Sequence, residues 1–148
     1  KVAGDPKTVE GRAGPAPDWK KVGNFVDLTE ALADWSRGLL RADPYKLVAL
    51  ICRYPKQAME LKEEMENYLP GEVRLGHRDQ FSFEPGVLVT NIHQVKGLEF
   101  DSVALVEPDE ENYPEKREES RNMIYVGITR TQEDLLLATI RPYSSVLF

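Results

Sequence analysis

Six consecutive apolar residues, Leu47–Cys52 (LVALIC), constrain this chain more than any other stretch. The run is short and shows no polar alternation, so it reads as a strand covered on both faces. Such a strand needs neighbours on each side and helices above and below. Residues 87–92 (VLVTNI), 102–106 (SVALV) and 134–140 (DLLLATI) read as further strands, the last ending before Pro142. Helical spacing fills the intervals. Asp27 precedes Glu30 by three in a capping-box-like start, and Leu28, Ala31, Leu32, Trp35 and Leu39 follow along one face until Asp43-Pro44 breaks it. Pro55 stands where a second helix opens, with Ala58, Met59, Lys62, Met65 and Leu69 as its stripe and Pro70-Gly71 as its stop. A third helix is expected over 117–126, with Met123 and Val126 among its apolar positions. Strands alternating with helices predict an α/β fold with a mainly parallel sheet.

The rest reads as connections. Residues 1–24 bear Gly and Pro with little apolar periodicity and are expected to be an extended or poorly ordered leading segment, leaving 25–148 as the folded domain. Residues 107–119 hold seven acidic side chains against Lys116 and Arg117, the pattern of an exposed, solvated loop. The 148 residues are enough for one core. No apolar run approaches the roughly 20 residues of a membrane span, and no apolar stretch follows Lys1 as a signal peptide requires. A single cysteine, Cys52, has no internal partner for a disulfide, which fits a reducing cytoplasm. A net charge of −6 argues against holding nucleic acid by bulk electrostatics but leaves room for a few placed phosphate contacts. The chain opens on Lys1 and closes on Val146-Leu147-Phe148, so it reads as a fragment of a longer protein.

Several familiar chemistries are missing. A P-loop needs two glycines followed by Lys and Ser or Thr, so that backbone N–H groups, an ammonium and a hydroxyl cradle phosphates and magnesium. Residues 71–78 (GEVRLGHR) have the glycines but end in His-Arg, and read as a turn. Glu107 and Asp109-Glu110 imitate the acidic end of a magnesium-binding strand, but Pro108 disrupts the spacing. No Cys and His pair has zinc spacing, and His77 and His93 are too far apart in sequence to argue a site.

Two clusters remain. In residues 90–100 (TNIHQVKGLEF) a strand ends at Thr90 and the chain turns through His93, Lys96, Gly97 and Glu99. Ligands in α/β sheets gather beyond the carboxyl ends of strands, which suits a site there. Each polar residue also has a plain reading, as a turn lysine, a capping glutamate or a satisfied histidine. In residues 125–130 (YVGITR) a helix carrying Tyr125 delivers Arg130, whose five fixed donors suit a phosphate or a helix C-terminus.

The strings T-x-x-H-x-x-K-G-L-E-F-D-x-V and N-x-x-Y-V-G-I-T-R-T, with an acidic stretch between them, resemble motifs V and VI of the UvrD/Rep/PcrA superfamily 1 DNA helicases. Residues 48–57 (VALICRYPKQ) are similar to the segment that opens the C-terminal motor domain of that family. The resemblance runs from about residue 45 to residue 142 and implies a RecA-like motor domain without a P-loop of its own. It implies that Arg130 is an arginine finger reaching the ATP γ-phosphate, and that Glu99 accepts a ribose hydroxyl where Gly97 lets the backbone come close. It further implies that Thr90 and His93, with Lys96 in the same loop, face single-stranded DNA, and that Tyr125 packs or lines the cleft. Arg53 is carried over as structural. ATP and Mg²⁺ would be held mainly by an N-terminal RecA-like domain of the parent chain, so the fragment alone would be inactive. The large helical insertion of the family has no counterpart, since only residues 70–86 precede the strand that bears Thr90. A compact motor of this kind also suits an ATPase that remodels a protein complex such as RNA polymerase, or an interaction module that has kept the fold.

Overall fold

The computed structural model describes residues 15–77 and 81–148. Six strands form one sheet: β1 (Pro17–Lys21), β2 (Leu47–Cys52), β3 (Val73–Leu75), β4 (Gly86–Asn91), β5 (Phe100–Val106) and β6 (Thr131–Thr139). Their order is β1-β6-β5-β2-β4-β3 and every neighbouring pair runs parallel. Among the described residues three helices flank it: α1 (Phe25–Ala42), α2 (Pro55–Met65) and α3 (Glu118–Ile128). This is a parallel α/β sheet with flanking helices, of the RecA-like kind. Among the described residues no helix is long and apolar enough to cross a membrane.

All six residues of β2 are buried, and the strand lies between β4 and β5 at the centre of the sheet. Alternation then divides the strand between two cores. Val48, Leu50 and Cys52 pack with Leu28, Leu32, Leu61 and Met65 under α1 and α2. Leu47, Ala49 and Ile51 pack with Ile92, Val95, Ile124 and Ile128 under α3.

Several expectations are corrected. The leading segment holds a strand: β1 pairs with β6 from Pro17↔Leu135 to Lys21↔Thr139, so the sheet extends N-terminal to residue 25. As an edge strand beginning at Pro17, it needs little apolar pattern. Residues 1–14 of that segment lie outside the described residues. Helix α1 starts earlier than expected, because Asn24 is its cap and accepts from the Asp27 N–H at 2.8 Å. In α2 the buried stripe is Ala58, Leu61 and Met65, while Met59 stands exposed and the helix ends before Leu69. The stretch read as a turn over 71–78 contains β3, which pairs with β4.

The acidic connection is also more than a solvated loop. Pro108, Asp109, Asn112 and Tyr113 are buried. Asp109 organises this stretch: its Oδ1 accepts the Asn112 N–H at 2.8 Å and its carbonyl accepts the Tyr113 N–H at 2.9 Å. Glu107 sits at a φ of 54°, the left-handed conformation that turns the chain sharply off β5.

Candidate functional site

The connection from β4 to β5 spans the height of the sheet. It leaves the carboxyl end of β4 through the 3₁₀ turn Ile92–Gln94, which Asn91 caps by accepting the His93 N–H at 3.1 Å. Ile92 and Val95 are buried in the core under α3 and anchor the crossing. Gly97 has a φ of 81° with open space where a Cβ would stand, so backbone conformation rather than crowding calls for glycine. The chain then enters β5 at its amino end. Seven residues of strand separate the two ends, about 20 Å at the usual rise.

Helix α3 reaches the same edge. It packs tightly on the sheet at Gly127, where an added Cβ would lie 3.0 Å from Leu105 Cδ1 and 3.2 Å from Ile92 Cδ1. Thr129 closes the helix by donating its hydroxyl to the Tyr125 carbonyl at 2.8 Å. Arg130 follows in the turn before β6, and its carbonyl accepts the Phe100 N–H at 2.8 Å. That bond sets Arg130 beside Glu99 at the amino ends of β5 and β6. The Arg130 guanidinium donates from Nη2 to Thr129 Oγ1 at 3.2 Å, while its Nε–H is buried without an acceptor among the described residues. Glu99 is exposed and accepts from Gln132 Nε2. A carboxylate has about four lone-pair sites, so one such bond leaves capacity for a ligand hydroxyl. Tyr125 is half exposed on α3.

His93 and the Glu99–Arg130 pair therefore fall towards opposite ends of the sheet, with Lys96 on the connection between them. Glu99 and Arg130 lie at the amino ends of strands, contrary to the expectation of one site beyond the carboxyl ends. His93 and Lys96 are exposed and line a cavity of about 200 Å³ with Glu119, Asn122 and Met123. Thr90 is fully buried and donates its hydroxyl to the Gly76 carbonyl at 3.1 Å. Its side chain therefore packs inside the domain, where an exposed, DNA-facing position was expected.

Two participants were not singled out in these roles. Arg53 comes within 3.1 Å of His93, Nη1 to Nε2, and its guanidinium carbon lies 4.3 Å over the Tyr54 ring. Arginine cannot accept, so this bond requires His93 to accept at Nε2. Gln132 reaches Glu99 because it follows Thr131, which the register sets opposite Phe100. That pairing depends on the register of β5 against β6 and is not readable in the sequence.

Comparisons with known proteins agree with this fold. The chain's fold is similar to a crystal structure of the C-terminal domain of a possible DNA helicase from Lactobacillus plantarum WCFS1, with a TM-score of 0.78 and 25% identity, covering 95% of this chain and 84% of that one. It is also similar in fold to the Pyrococcus furiosus Hef helicase domain, with a TM-score of 0.52 and 16% identity over 76% of this chain, which spans 26% of that one. A comparison with the curated proteins finds no match. The family model for the UvrD-like helicase C-terminal domain matches residues 45–142, from the turn before β2 to just past β6. The chain belongs to the UvrD-like helicase C-terminal domain family.

Proposed function

We propose that this domain is the C-terminal motor half of an ATP-dependent superfamily 1 DNA translocase, with Arg130 as its arginine finger and the β4–β5 connection as the link between nucleotide and DNA. The observation that carries the reading is the Phe100–Arg130 backbone bond, which joins Glu99 and Arg130 at the amino ends of β5 and β6, while the connection that ends at Glu99 begins with His93 beyond the carboxyl end of β4. The residues fit a nucleotide: Arg130 has a buried donor without an acceptor, and Glu99 has an exposed carboxylate. When bound, ATP supplies the phosphate charge that makes the closed arrangement of the two motor domains the favoured one. Arg130 would offer its donors to the terminal phosphate and Glu99 would accept a ribose hydroxyl, with Gly97 allowing the close approach and Tyr125 lining the cleft. Mg²⁺ would be held mainly by the N-terminal RecA-like domain of the parent chain, which makes this domain inactive alone.

A shift of Glu99 in the closed state would be carried along a connection pinned by Val95 and Ile92 to Lys96, in the same turn, and on to His93. Those two residues would contact the phosphate or sugar of a single strand. Cys52 is a buried free thiol, which fits a cytoplasmic setting.

The test is the ATPase rate of the complete motor with and without single-stranded DNA, for the wild type and Arg130→Ala. Stimulation by DNA that Arg130→Ala abolishes is the expected result. Stimulation that survives the substitution removes the arginine finger. A wild type indifferent to DNA favours the second reading, a motor that remodels a protein complex such as RNA polymerase. The short stretch between α2 and β4 and the net charge of −6 favour that alternative.

A further inference from the structure

We propose that Phe81 and Phe83 form a base-stacking platform that extends the single-strand track past His93 and Lys96, an inference that rests on the DNA-translocase reading above. The two rings stack with centroids 5.8 Å apart and planes 20° from parallel. Spacing of two puts both on one side of the extended stretch before β4. Phe81 packs against the core under α3, whereas Phe83 is 54% exposed, so the stack is open at the Phe83 end. Both rings border a cavity of about 260 Å³ with His93, Gln94, Lys96 and Leu98.

The platform is held in place before any ligand arrives. Arg74 donates to three carbonyls of the stretch that carries Phe83: Ser82 at 3.1 Å, Glu84 at 2.7 Å and Pro85 at 3.2 Å. Gly76 makes room for the inner ring, since a Cβ there would lie 3.0 Å from Phe81 Cε1. Thr90 holds the Gly76 carbonyl through its hydroxyl. The buried Thr90 therefore serves this surface from beneath it.

The occupant that suits this surface is a nucleobase of a single strand. An aromatic face continues an open two-ring stack, and every base presents one. Lys96 sets a cation for the adjoining phosphate in the same cavity, a local complement in a chain of net charge −6. An apolar protein side chain would match the rings but would leave that cation without its counterpart; a protein segment that also carries a carboxylate is the outcome the test below separates.

The experiment is a fluorescence-anisotropy titration of the complete protein with a labelled oligothymidylate of about 16 nucleotides. A strand of equal length made of abasic sugars serves as the second probe. Phe83→Ala is expected to weaken oligothymidylate binding about tenfold, from the usual worth of one stacked base, and to leave abasic binding unchanged. Phe83→Trp is expected to restore the loss. Unchanged oligothymidylate binding by Phe83→Ala, with the wild type still binding, overturns the platform and spares the DNA reading. A wild type that binds neither probe overturns both. Equal losses on the two probes overturn the stacking role, as does loss of a co-purifying protein with oligothymidylate binding intact.

Discussion

Strands β5 and β6 lie side by side, yet their two ends handle charge in opposite ways. At the amino end, Lys46 Nζ meets Asp134 Oδ2 at 2.7 Å and also reaches Glu133, while Ser102 donates to the same Asp134 oxygen at 2.7 Å. Burial alone would raise the Asp134 carboxyl; hydrogen bonds from Lys46 and Ser102 outweigh it and hold the group below the usual range. At the carboxyl end, Glu107, Asp109 and Glu111 share Arg141, at 4.0, 4.0 and 2.8 Å. Burial first, and neighbouring carboxylates after it, push Glu107 and Asp109 up, and Asp109 Oδ2 has no hydrogen-bond partner among the described residues. One end is a satisfied network beside Arg130 and Glu99. The other is a backbone turn that pays for its shape in crowded negative charge.

That contrast can be broken at four points. The largest effect is expected for Arg130→Ala in the complete motor, about a thousandfold or more off the DNA-stimulated ATPase rate, the usual worth of an arginine finger. A loss below about tenfold would detach the amino end from the nucleotide. Glu99→Ala comes next, with the KM for ATP about tenfold higher, as one hydrogen bond to a charged group implies. An unchanged KM would leave Glu99 as a partner of Gln132 and nothing more. Thr90→Val acts at the carboxyl end by leaving the Gly76 carbonyl without its donor. It should lower stability by about 1–3 kcal/mol in a urea melt; an unshifted midpoint would show that water replaces the hydroxyl.

The smallest effects have opposite signs, each about 1 kcal/mol or less because both sites are partly screened by solvent. Asp134 has a folded pKa below its unfolded value, so its stabilisation is present above that value and fades as pH falls through the folded one. Glu107 has a folded pKa above its unfolded value, so its stabilisation is complete below the unfolded value and is lost as pH rises through the folded one. At neutral pH, Asp134→Asn should therefore destabilise and Glu107→Gln should stabilise. In urea melts below about pH 4 the Glu107→Gln gain should disappear. Changes of the same sign at neutral pH would erase the contrast.

Legibility followed local pattern. Leu47–Cys52 coincides with β2 because an unbroken apolar run has few other homes. Val73–Leu75 escaped notice because three residues containing Arg74 carry no period. Met59 is apolar and falls at helical spacing, yet the helix turns Leu61 inward instead. Charge alone makes the acidic residues after β5 resemble a solvated loop, whereas Asp109 is buried for the backbone bonds it accepts. At the site, motif strings singled out Arg130, Glu99, His93 and Lys96. The strings could not tell that Thr90 points into packing or that Arg53 meets His93, since those facts depend on elements 14 and 40 positions apart.

By itself, the sequence determined the α/β class, the central strand and the family, because apolar runs and motif spacing are properties of contiguous residues. Only the tertiary structure decided which end of the sheet each polar residue occupies. Parallel strands carry the chain back across the sheet at every connection, so residues six apart, His93 and Glu99, face opposite edges. Residues 31 apart, Glu99 and Arg130, share one, because the register of β5 against β6 sets Phe100 opposite Thr131.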